Sequence, residues 1–154
     1  MTSATTIGSR ELVYRVGATF HGDHSIDVTR AMVLTFAALT GADHWMHVDA
    51  ERAAVSPLGR ATVPGTLTLS LAARLERHLF VVRCADAVFY GFDRVRFPAP
   101  MFVGDPLRLE VEIMSAENSP HAVQATFRHR FWSAGPKPVC VAEQNVRYIH
   151  EEER

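Results

Sequence analysis

An α+β chain, with one long buried helix followed by a mostly antiparallel sheet, is what this sequence predicts. Three observations carry the expectation. From Gly65 to Leu79 runs a stretch apolar on nearly every side, entered through Pro64–Gly65 and carrying the good helix formers Ala72 to Arg77. Beyond Asp86 the apolar period changes to two, as in half-buried strands. Turn residues then fall at Pro98–Pro100, Gly104–Pro106, Asn118–Pro120 and Gly135–Pro138, spaced to join those strands directly.

Taken in order, Glu11 to Phe20 suggests a first strand and His24 to Val28 a short extended piece. Thr29 is placed to cap a helix whose Met32, Val33, Phe36 and Leu39 recur at helical spacing, and Gly41 stands where a left-handed C-terminal residue belongs. Asp49 to Val55 reads as a second short helix capped by Asp49. The next stretch is ambiguous. Thr66 to Leu71 alternates as a strand would, yet Ala72 to Arg77 follows without a turn, so 65–79 is taken as one central helix. Strands are expected over Asp86–Phe97, Leu107–Ile113, Val123–Phe131 and Val139–Tyr148, the sheet wrapping the helix.

The 154 residues suit one domain spanning 1–154, with Met1–Arg10 and Glu151–Arg154 expected to fray. A net charge of −1 offers no footprint for nucleic acid or an anionic membrane. No apolar run of about 18 residues and no signal-peptide pattern is seen, and the isolated Cys84 and Cys140 read as reduced thiols. The expectation is a cytoplasmic protein with no cofactor. His44 and His47 lie three apart without further ligands beside them, so no metal site is expected.

Residues 39 to 49 read Leu-Thr-Gly-Ala-Asp-His-Trp-Met-His-Val-Asp. The pattern resumes at Thr62-Val63-Pro64-Gly65-Thr66-Leu67-Thr68-Leu69-Ser70-Leu71 and at Tyr90-Gly91-Phe92-Asp93-Arg94-Val95-Arg96-Phe97-Pro98. The ordered set resembles the MaoC-like dehydratases, and most closely their nodulation-protein-N-like branch. That resemblance implies a hot-dog fold, a homodimer, and addition or removal of water at enoyl or 3-hydroxyacyl thioesters of coenzyme A or acyl carrier protein. It further implies an Asp and a His before the long helix that activate water, and a backbone N–H at the helix start that receives the thioester oxygen. A carboxylate–imidazole pair suits such proton transfer, and fixed N–H donors suit the developing enolate.

Carried over residue by residue, His47 falls on the family's catalytic histidine and Gly65 on the helix-start glycine, with Thr66 beside it. The family's aspartate falls on Ala42, one place before Asp43. Pro64 stands where relatives often have His, and Phe89 where they often have Asn. The candidate catalytic residues are therefore His47 and Asp43; Gly65, Thr66, Ala42, His44, Phe89 and Tyr90 are candidates for binding substrate. Plainer readings stand beside these: Asp43 as a solvated loop carboxylate, Phe89 and Tyr90 as core, Trp45 and Met46 as packing for the loop, and Arg94 and Arg96 as an exposed strand face. The departures leave two alternatives to a hydratase open: a recruited cyclase or isomerase acting on a polyketide-like intermediate, or a non-catalytic acyl-binding subunit.

Overall fold

The computed structural model describes residues 4–151; the expected fraying of Met1–Ser3 and Glu152–Arg154 lies outside the described residues. The chain opens with β1 (Thr5–Gly8), a 3-10 segment (Ser9–Arg15), β2 (Thr19–His21) and β3 (Ile26–Asp27). Helices α1 (Arg30–Thr40), α2 (Trp45–Val48), α3 (Ala50–Ala54), α4 (Gly65–Ser70) and α5 (Ala72–Glu76) follow. Then come β4 (Phe80–Arg83), β5 (Asp86–Arg96), β6 (Pro106–Asn118), β7 (Ala122–Trp132) and β8 (Cys140–Ile149).

The main sheet is antiparallel in the order β2-β6-β7-β8-β5, with β3 also paired to β6. Its inner face follows from alternation. Leu107, Leu109, Val111 and Ile113 of β6, and Val123, Ala125, Phe127 and Phe131 of β7, are all buried. They pack on Leu67, Ala72 and Leu75 from α4 and α5 in one apolar cluster. Phe127 lies between Phe80 and Tyr148, at ring-centroid distances of 5.6 and 6.2 Å. On the outer face, Arg128 and Arg130 bridge to Glu110, Glu112 and Glu143 across β6 and β8.

Three expectations are corrected. No strand runs from Glu11 to Phe20; Ser9–Arg15 coils as 3-10, Leu12 is buried, and Gly17 turns the chain at φ +88° before the three residues of β2. The segment just before it does not fray. Residues Thr5–Gly8 pair in parallel with Phe80–Arg83, a strand the sequence reading missed, and Ile7 is wholly buried. Finally, the long helix is two short ones.

The break at Leu71, with ψ near −2°, has a local cause. Ser70 Oγ donates to the Thr66 carbonyl at 2.7 Å, a side-chain bond that competes with the backbone ladder and bends helices. The Leu71 N–H is shared between the Leu67 and Thr68 carbonyls at 3.2 and 3.3 Å, tightening the turn before Leu75 N–H resumes the ladder onto Leu71. The helix pair is not buried all round either, since Thr66, Ser70, Ala73, Arg74 and Arg77 are exposed. Elsewhere the expectations match: Thr29 Oγ1 accepts from Met32 N–H at 3.3 Å, Gly41 sits at φ +73°, and Asp49 accepts from Arg52 N–H at 3.0 Å.

Candidate functional site

The single turn of α2 sets His47. His44 caps it, its Nδ1 accepting from Met46 N–H at 3.4 Å, and Asp49 N–H closes it on the Trp45 carbonyl at 2.9 Å. Arg30 donates to the Val48 carbonyl at 3.0 Å, tying α2 to α1, and the Arg52 guanidinium lies 4.5 Å from the Trp45 ring centre. Below this turn runs the strip 61–63. Thr62 N–H donates to the Met46 carbonyl at 2.9 Å, Val63 N–H to Met101 at 2.8 Å, and Val103 N–H to Ala61 at 3.0 Å. The strip is thus tied both to the His47 turn and to residues 101–103, which braces the helix-start residues Pro64 and Gly65.

His47 Nδ1 lies 2.8 Å from the Thr62 carbonyl oxygen and 3.1 Å from its hydroxyl. A carbonyl only accepts, so Nδ1 carries the hydrogen and Nε2 is the basic nitrogen. Thr62, itself buried, thus orients the imidazole.

His47 lines a cleft of about 450 Å³ together with Ala42, Met46, Gly65, Thr66 and Phe97. Thr62 and Thr68 add hydroxyls; the remaining walls, Leu58, Val63, Pro64, Ala99, Pro100, Met101 and Val139, are apolar. Among the lining residues His47 alone can ionise. The N–H groups that open α4 have no carbonyl within the helix to meet, which leaves donors at its start.

The site therefore gathers His47, Ala42, Gly65 and Thr66 from the candidates. It does not gather the others. Asp43 is exposed and does not line the cleft. His44 is an exposed cap, its ring centre 6.3 Å from that of His47. Phe89 borders a separate cavity of about 320 Å³ beside Glu76 and Tyr148, and Tyr90 is 60% exposed, so neither is core. Ala42 lines the cleft, and its neighbour Asp43 does not. Met46, expected only to pack the loop, forms part of the wall. Thr62 and Phe97 were not singled out, although both sit in stretches that carry the resemblance.

Among the described residues no group of three or more His, Cys, Asp or Glu is placed to hold a metal, and no helix is long and apolar enough to cross a membrane. Cys84 and Cys140 are free thiols; burial pushes Cys140 up to about 12.

Residues 12–130 match the family model described as MaoC like domain. A 3-hydroxyacyl-thioester dehydratase Z of Mycobacterium tuberculosis is 39% identical over 127 residues, covering 80% of this chain and 84% of the relative. Nodulation protein N of Rhizobium meliloti is 39% identical over 82 residues, 51% of each chain. Among solved structures, the (R)-hydratase from A. caviae involved in PHA biosynthesis superposes with a TM-score of 0.69 at 28% identity, covering 85% of this chain and 94% of that one. The MaoC-like dehydratase from Rhodospirillum rubrum superposes with a TM-score of 0.75 at 21% identity, covering 90% and 94%.

Proposed function

The chain belongs to the MaoC-like domain family and has its hot-dog fold, and from that premise we propose a hydro-lyase acting on 3-hydroxyacyl or 2-enoyl thioesters with His47 as its only acid–base group. The observation that carries the reading is the His47–Thr62 pair, which leaves a basic Nε2 on a side chain lining the cleft that Gly65 and Thr66 also border.

In the dehydration direction, His47 Nε2 takes a proton from the carbon next to the thioester carbonyl. The electron pair moves into the enolate, whose oxygen is held by the free N–H groups at the start of α4. The imidazolium then returns that proton to the departing 3-hydroxyl. The C–O bond breaks, the C=C bond forms, and water leaves. Hydration is the reverse. One imidazole serves as base and then acid, which an apolar cleft with no carboxylate requires. The substrate carrier is coenzyme A or acyl carrier protein. A homodimer is supported by the edge strand β5, where Val88, Phe89 and Tyr90 are 45%, 55% and 60% exposed.

A second reading has its own observation. Ala42, where relatives carry aspartate, faces the cleft among apolar side chains, and Asp43 lies outside it. That arrangement favours a cyclase or isomerase that moves a proton without handling water; loss of the dyad also fits an acyl-binding subunit.

A panel of short and medium trans-2-enoyl thioesters separates the readings, with wild type, His47→Ala and Ala42→Asp compared. Wild-type hydration reduced about 10²–10⁴-fold by His47→Ala is the expected result. Silence in wild type at every chain length, with activity appearing in Ala42→Asp, refutes the hydro-lyase and favours the recruited enzyme. Silence in both points to the binding subunit.

A further inference from the structure

Gly65 is not a glycine for its backbone conformation, because its φ lies outside the left-handed region. Its reason is a neighbour. A Cβ added at Gly65 would meet the Phe97 ring at 2.8, 2.9 and 3.0 Å from Cε1, Cζ and Cδ1. The ring lies against the start of α4, and it lines the same cleft as His47. It is also 46% exposed, so it is not an ordinary core aromatic: it touches the helix start, the cleft and solvent.

The chain around Phe97 holds it there. Phe97 ends the β5 side of the site and precedes Pro98, which confines its backbone to extended conformations. Ala99 and Pro100, continuing the same strip, are themselves cleft walls. The strip is joined to the His47 platform by the Val63–Met101 hydrogen bond at 2.8 Å. The ring is thus mounted on a stiff support tied to the same residues that orient His47.

From this we propose that Phe97 is a specificity-determining residue, a steric wall that admits thioesters unbranched at the carbon next to the carbonyl and excludes those carrying a methyl there. The inference rests on the thioester reading above. A carbonyl oxygen held at the start of α4, with its neighbouring carbon within reach of His47, places that carbon beside the ring. A hydrogen fits beside the ring; a methyl group on that carbon must displace the ring or leave the carbonyl unheld. Such a difference of one carbon in an apolar site is worth about 10–200-fold.

Binding tests it without depending on turnover. The affinities of S-butyryl-pantetheine and S-isobutyryl-pantetheine, which share the arm common to both carriers, are measured by calorimetry on wild type, Phe97→Leu and Phe97→Ala. Wild type is expected to prefer the straight chain by about tenfold or more. Phe97→Ala is expected to lose that preference by gaining the branched ligand, with Phe97→Leu between. Circular dichroism and melting of each variant confirm that it is folded; half-exposed Phe97 makes that outcome expected.

A wild type that binds both ligands equally overturns the wall. So does a preference that persists unchanged in a folded Phe97→Ala. Wild type binding neither ligand overturns the thioester reading and the wall with it, which keeps the two failures apart. Gly65→Ala supplies the converse: by pushing the ring into the cleft it should weaken both ligands while leaving the fold intact.

Discussion

Replacing Glu76 by leucine tests how the central helix is held against the sheet. Glu76 ends α5, and its Oε2 lies 2.8 Å from Nε2 of His129, which is wholly buried in the middle of β7. The His129 ring has Phe92 edge-on and Phe131 parallel, each 6.2 Å away between centroids, and its Nδ1 has no hydrogen-bond partner. Glu76→Leu leaves both ring nitrogens buried without partners. A hydrogen bond to a charged group contributes about 1.5–3 kcal/mol, and a stranded buried polar group costs about 1–3 kcal/mol. Because these overlap, the loss should be about 2–3 kcal/mol, or a fall in Tm of very roughly 4–12 °C for a chain of this size.

Urea denaturation of wild type, Glu76→Leu, His129→Phe and the double variant measures it. The double variant should recover most of the loss, since replacing both partners by apolar groups removes the stranded atoms as well as the bond. An unchanged m-value would confirm that stability alone moved. A loss under about 0.5 kcal/mol in Glu76→Leu, or strictly additive single losses, would refute the claim that this pair fastens helix to sheet.

Glu112→Ala, which leaves Arg128 with Glu143 and Arg130 with Glu110 as partners on the outer face, should cost no more than about 1 kcal/mol and less in high salt; denaturation at two ionic strengths checks it. Cys140 should resist thiol reagents until the protein unfolds, while half-buried Cys84 reacts sooner. Since burial raises Cys140 to about 12 from the usual 9.0, the unfolded chain loses that proton first between those values, so its contribution to stability is present below pH 9 and is lost as pH rises towards 12; denaturation midpoints across alkaline pH report it. Sedimentation at micromolar concentration should find a dimer, and Val88→Lys on the exposed edge strand should shift it towards monomer. A wild-type monomer would contradict the proposed assembly.

Legibility of the sequence varied with the reach of the forces involved. Strands β6 to β8 could be read because a strand with one buried face must alternate, and that pattern needs no knowledge of the partner. The caps at Thr29, Gly41 and Asp49 could be read because each is settled within four residues. His47 and Gly65, which line one cleft, were singled out through their motifs. The parallel pairing of β1 with β4 was not legible, since about seventy residues separate the partners and neither strand alternates clearly. The break at Leu71 depends on a serine bond that helix propensity does not anticipate.

What the amino-acid order determined by itself was local: the later strands, the caps, and the presence of Ala42 where the family resemblance implies an aspartate. What only the tertiary structure decided was which side chains meet. A one-residue step turns Asp43 out of the cleft. A carbonyl from Thr62, fifteen positions on, chooses the tautomer of His47. A ring from Phe97, on a strip beyond β5, explains Gly65. Each depends on directions in space set by packing between distant segments, and a periodicity along the chain carries no record of them.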